Sequence, residues 1–184
     1  MRVLGISGSL RRDSYNTRLL EAARELFDAE GVEFVLYEGL KDIPPYDEDD
    51  DGDDAPAAVA DFRDAIAGAD AVLFATPEYN SSIPGQLKNA IDWASRPIAT
   101  NVLRNKPVAV VGASTGAFGA VWAQAELRKV LAATGARVLE GDVAFGHADR
   151  HFDADGRLPE GELRDQLAEV VAGLVAAPVA AAAA

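Results

Sequence analysis

The sequence predicts an α/β fold in which helices cover both faces of a doubly wound, five-stranded parallel sheet. Two observations predict it. Short apolar runs alternate with longer stretches of helical periodicity along most of the 184 residues. Such alternation gives parallel strands joined by crossover helices. The runs AVLFA and PVAVVGA have no polar interruption, as expected of strands buried on both faces.

The elements follow in order. The first strand is expected over residues 2–6 (RVLGI). A helix over 16–30 puts Leu19, Leu20, Ala23, Leu26 and Phe27 on one face, and Gly31 stops it. The second strand is expected over 32–38, followed by a long loop with Pro44 and Pro45. Pro56 opens a helix that turns Val59, Phe62 and Ile66 inward, and Gly68 closes it. A third strand is expected over 70–76, a helix over 86–94 and a fourth strand over 107–113. A long helix over 117–134 ends at Gly135, a short fifth strand covers 137–143, and a last helix covers 158–175. Residues 1–176 are expected to form a single domain, with the Ala-rich tail over 177–184 disordered.

The first, third and fourth strands are the most apolar and therefore central. This gives the flavodoxin-like order 2-1-3-4-5, in which ligands bind beyond the carboxyl ends of the strands at the switch point. Three loops are thereby marked as site loops: those after Ile6, Thr76 and Ala113.

Composition narrows the function. The formal net charge of −13 opposes nucleic-acid and anionic-membrane binding. With no cysteine, thiolate nucleophiles and cysteine-held metal centres are excluded. The N-terminus lacks the pattern of a signal peptide and no run is long enough to span a bilayer, so a cytoplasmic protein is expected. The acidic run DEDDDGDD at 47–54 resembles half of an EF-hand loop, but Ala58 stands where a bidentate Glu is required. It reads as a solvated loop. His147 and His151 read as surface residues rather than a metal pair, and no metal site is expected.

The first loop, SGSLRRDSYNT, supplies hydroxyls, an amide and two arginines at a helix N-terminus, a setting that suits an anion. It matches neither a Walker A loop nor a dinucleotide fingerprint. A terminal phosphomonoester suits it best, although Ser14 also reads as a plain N-cap. The second loop, TPEYNSSIPG, has Glu78, Tyr79 and Asn80 placed to present backbone N–H groups to the edge of a heterocycle, with Tyr79 as an aromatic wall. The third, GASTGAFGA, has three glycines that let the backbone approach a flat ligand.

Taken together, GSLRRDSYN (8–16), TPEYNSSIPGQLKNAIDW (76–93) and GASTGAFGA (112–120) resemble the signature segments of the NADPH-dependent FMN reductase family, which includes quinone, chromate and azo reductases. The resemblance implies a flavodoxin-like fold with non-covalent FMN, and NADPH or NADH as co-substrate. It implies hydride transfer to FMN N5 and then to a small-molecule electron acceptor, with no obligatory catalytic side chain. Ser9, Arg11, Ser14 and Asn16 would hold the phosphate. Pro77, Glu78, Tyr79 and Asn80 would border one side of the ring, and Ser114, Thr115 and Gly116 the other. A homodimer or homotetramer is implied, assembled through the helix containing 88–93 and the long helix after the fourth strand, which carry Trp93 and Trp122. Ala120 departs from the family pattern, where many relatives have a second consecutive glycine. A flavodoxin-type electron carrier without NAD(P)H turnover is the alternative reading.

Overall fold

A computed structural model describes residues 1–52, 55–141 and 143–177. The expected tail beyond Ala177 and Asp53 and Asp54 of the acidic run lie outside the described residues. The strands are β1 (Arg2–Ser7), β2 (Glu33–Tyr37), β3 (Ala71–Ala75), β4 (Pro107–Ala113), β5 (Arg137–Val138) and β6 (Ala144–Phe145). The helices are α1 (Tyr15–Ala29), α2 (Ala57–Ala67), α3 (Gly85–Ala94), α4 (Val121–Ala133) and α5 (Glu162–Ala176).

The strands pair in parallel in the order β2-β1-β3-β4-β5, with β6 also on β4. This is the flavodoxin-like order. Because strand side chains alternate, each central strand feeds two cores. Leu4, Ile6, Val72, Phe74, Val108 and Val110 pack under α2, α3 and α4. Val3, Leu73, Ala75, Ala109 and Val111 pack under α1 and α5. Phe27, Phe62, Phe74, Phe145 and Trp93 are fully enclosed. Burying each such side chain contributes about 1.5–3 kcal/mol, so these two faces rather than helix propensity hold the helices in place.

Three expected elements need correction. The fifth strand, expected over 137–143, forms only at Arg137–Val138 (β5), and a further short strand, β6, follows beyond the expected range, so the sheet has six strands among the described residues. Gly141, at φ +139, breaks the extended backbone between them. The long helix starts at Val121 rather than at 117, because Gly119 and Ala120 both adopt left-handed backbone (φ +57 and +62). The last helix starts at Glu162 rather than at 158, after Pro159 and the positive-φ Gly161.

The polar face of α3 has a structural task. Gln86 Nε2 donates to the carbonyls of Leu40 (2.7 Å) and Ile43 (2.8 Å). Asn89 Nδ2 donates to Pro44 O, and its Oδ1 accepts from Tyr46 N, both at 2.7 Å. Trp93 Nε1 donates to Pro44 O at 2.9 Å. Much of the motif QLKNAIDW therefore pins the long Pro44–Pro45 loop, whose backbone groups would otherwise be unpaired. Asp51 of the acidic run closes the same region through a 2.7 Å ion pair with Arg63. Among the described residues, no helix is long and apolar enough to cross a membrane.

Candidate functional site

The loops after β1, β3 and β4 converge at the carboxyl end of the sheet around a cavity of about 260 Å³. Nine of the eleven expected site residues line it: Ser9, Arg11, Ser14, Asn16, Pro77, Glu78, Tyr79, Ser114 and Thr115. Asn80 and Gly116 do not, and Tyr15 and Ala113 join the wall without having been expected.

Ser14 caps α1. Its Oγ accepts from the N–H groups of Asn16 (3.2 Å) and Thr17 (3.4 Å). Two of the N–H groups expected to face an anion are thus already used, and the hydroxyl proton of Ser14 is what remains to donate. The Arg11 guanidinium lies 5.3 Å from the Tyr15 ring centroid and donates to Asp13 O. Arg11 N–H donates to Ser9 Oγ at 3.4 Å, while Thr17 Oγ1 donates to Ser7 Oγ at 3.1 Å. This end of the cavity therefore combines hydroxyls, one cation and the positive end of a helix.

Asn16 differs from the expectation. It is 3% exposed, and both ends of its amide bind one residue of β4: Nδ2 donates to Ala113 O and Oδ1 accepts from Ala113 N, each at 2.9 Å. The amide acts as an extra strand partner for the last residue of β4. Asn16 thus braces the first loop against the third.

The second loop folds tightly. Tyr79 N donates to Ser82 O (3.0 Å) and Ser82 N to Tyr79 O (3.1 Å), across Asn80 and Ser81 at φ +53 and +60. Positive φ at both central residues is the signature of a type I′ turn, which favours Asn. The expected row of N–H groups is therefore interrupted, since that of Tyr79 is spent inside the turn, and Asn80 sits at the turn's exposed tip. The Glu78 carboxylate also has a task that sequence reading missed. Its Oε2 accepts from Trp122 N (3.0 Å) and Ala123 N (3.1 Å). Ala120, at the N-cap position of α4, has no side chain to do this, so Glu78 caps the helix from a neighbouring loop.

The third loop is laced to the segment after β6. Ser114 N donates to Phe145 O (2.9 Å), Ala148 N to Ser114 O (3.0 Å) and His147 N to Gly116 O (3.0 Å). A Cβ on Gly119 would lie 2.4 Å from the Ala144 carbonyl carbon, so only glycine permits this approach. His147, read from the sequence as a surface residue, is exposed and starts a short turn there; only its backbone braces the loop. Among the described residues, no group of three or more His, Cys, Asp or Glu is placed to hold a metal. Trp93 is fully buried, whereas Trp122 is 48% exposed at the start of α4.

Comparison with known proteins gives the chain's relatives. The family described as NADPH-dependent FMN reductase matches residues 1–150. An NAD(P)H-dependent FMN reductase of Pseudomonas aeruginosa is 44% identical over 175 residues, covering 95% of this chain and 93% of that protein. A 2-hydroxy-1,4-benzoquinone reductase of a Burkholderia species is 39% identical, covering 91% of this chain and 90% of the relative. Among solved structures, FerB, a flavoenzyme NAD(P)H:(acceptor) oxidoreductase of Paracoccus denitrificans, superposes with a TM-score of 0.82 at 37% identity, covering 95% and 94% of the two chains.

Proposed function

Since the chain belongs to the NADPH-dependent FMN reductase family, a family of oxidoreductases, we propose that it oxidises NADPH or NADH at a non-covalent FMN and passes the electrons to quinones. Free flavin, azo compounds and chromate are further acceptors within the proposal. One observation carries it: three loops from different parts of the chain meet around one cavity, whose lining joins Ser9, Arg11 and Ser14 at the α1 N-terminus with Pro77, Glu78 and Tyr79 of the second loop and Ser114 and Thr115 of the third.

The donor set fits FMN. Ser9, Ser14 and Arg11 suit a phosphomonoester, and they cluster at the α1 N-terminus. Asn16 supports that end through Ala113. Pro77, Glu78 and Tyr79 would border the ring on one side, and Ser114 and Thr115 on the other, with Asn80 in the turn of the second loop and Gly116 bonded through its carbonyl to His147 N. A cavity of about 260 Å³ lies just below the usual range of about 300–1,000 Å³, so part of the cofactor would remain open to a second substrate. When bound, FMN supplies the hydride chemistry; the protein binds it, orients it and sets the local field. No side-chain acid or base is assigned to the reaction.

The proposal includes assembly as a homodimer or homotetramer through α3 and α4. A cleft of about 290 Å³ between these helices is lined by Ile91, Arg96, Ile98, Lys129 and Val130, and Ile98 is 66% exposed. A single exposed Ile is ordinary; one beside an apolar cleft supports a covered face. The reading is tested by reconstituting the protein with FMN and screening quinones, free flavin, azo dye and chromate with each nucleotide, alongside light-scattering mass. Steady turnover of a quinone and a mass of two or four chains are expected. No turnover with any acceptor would refute the enzymatic reading, and a single-chain mass would refute the assembly.

A further inference from the structure

We propose that Tyr15 is a positioning residue for the cofactor phosphate: its ring, seated on Phe152, holds the Arg11 guanidinium ready at the phosphate end of the cavity. The inference rests on the reading of that cavity as an FMN site and deepens it.

Tyr15 and Arg11 both line the cavity. Tyr15 is the first residue of α1, directly after the Ser14 cap. Its ring stacks on that of Phe152, with centroids 5.8 Å apart and planes at 25°. Both rings are partly buried and pack against the core under α1 and α5, which fixes where the Tyr15 ring can lie. The Arg11 guanidinium is 5.3 Å from the Tyr15 centroid, within the range of a cation–π contact. Arg18, one turn along α1, lies 5.5 Å from the same centroid and adds a second positive charge at this end.

Arg11 needs such support. It is exposed, and a long side chain left free loses rotamer freedom when a ligand immobilises it. The ring contact and the bond to Asp13 O confine it beforehand. A guanidinium has five N–H donors, so donors remain for phosphate oxygens. Among the described residues no carboxylate forms an ion pair with Arg11, so its charge is not already matched. Phe152 is held in turn by the segment that braces the third loop. His147 N and Ala148 N donate to Gly116 O and Ser114 O on one side of it, and Asp153 N donates to Arg157 O on the other. The family match ends at residue 150, so the support of Tyr15 comes from outside the matched span.

The test titrates flavin-free protein with FMN and with riboflavin, which differ by the phosphate alone, and reads both affinities by fluorescence. Tyr15→Leu should lower the preference for FMN over riboflavin about tenfold, the scale of a cation–π contact, with riboflavin affinity unchanged. Tyr15→Phe keeps the ring and should keep the preference. Phe152→Leu should lower the preference in the same direction, and carries the test if Tyr15→Leu does not fold. Arg11→Ala should cost less in the Tyr15→Leu background than in the wild type, because both act on one contact. The proposal is overturned by an equal loss of both flavins in Tyr15→Leu, by a preference left intact in Tyr15→Leu and Phe152→Leu, or by a preference lost in Tyr15→Phe. Additive effects of Tyr15→Leu and Arg11→Ala overturn it too. Wild-type protein that binds riboflavin as tightly as FMN would instead sink the phosphate assignment beneath it, a result read before any variant is compared.

Discussion

Replacing Asn16 by alanine should destabilise the protein even with no cofactor bound. The side chain is 3% exposed and bonds both backbone groups of Ala113, 97 residues away, at 2.9 Å each. Ala113 is itself 2% exposed, so water does not readily replace the lost partner. Each orphaned buried group costs about 1–3 kcal/mol, and two cost about 2–6 kcal/mol, a large part of the typical stability of about 5–15 kcal/mol. Asn16→Asp keeps the acceptor for Ala113 N–H but turns an oxygen towards Ala113 O, and should be destabilised as well. The assay is urea denaturation of FMN-free protein, because bound cofactor would add its own linkage. A loss below about 1 kcal/mol in Asn16→Ala, together with a large drop in FMN affinity, would refute the reasoning and make the residue a phosphate ligand instead.

Other perturbations test neighbouring parts of the account. Arg11→Ala should weaken FMN binding about tenfold to a hundredfold, as for loss of one charge-assisted contact; fluorescence titration reads it, and unchanged affinity would remove Arg11 from the phosphate site. Gly119→Ala forces a Cβ to within 2.4 Å of the Ala144 carbonyl carbon at φ +57. It should lose about 2–5 kcal/mol in urea, the combined scale of left-handed strain and overpacking. Burial, then Asp61 and Asp42, hold the Tyr37 phenol above its ordinary pKa of 10.0. Between that value and the raised one the folded protein keeps a proton the unfolded chain has released, so stability falls as pH rises through this window. Tyr37→Phe should lose less stability over the same range, measured by denaturation at matched pH values.

Much of the fold was legible because its signals were local. The uninterrupted runs in β3 and β4 and the spacing of Leu19, Leu20, Ala23 and Phe27 follow directly from burial on one or two faces. The misplaced boundaries lie where backbone conformation overrides pattern. Ala120 has high helix propensity but is held at φ +62, a backbone that glycine takes without strain. The site was legible as three loops and not as a set of contacts. Gln86, Asn89 and Trp93 belong to the segment that carries the family resemblance, and their polar atoms pin a loop. The bonds of Glu78 and Asn16 join residues 44 to 97 positions apart, and no local pattern encodes such pairs. A polar residue fixed in a tight loop motif serves equally well as ligand or as brace, and only its partners separate the two.

The central claim is that the cavity holds FMN and uses it to oxidise a nicotinamide nucleotide. The most direct measurement is anaerobic mixing of the FMN-loaded protein with NADPH or NADH, followed by a quinone. The account predicts that the yellow absorbance bleaches within the turnover time and returns when the quinone is added. Colourless protein after FMN reconstitution, or bound flavin that neither nucleotide bleaches, would contradict it, the latter in favour of a flavodoxin-type electron carrier.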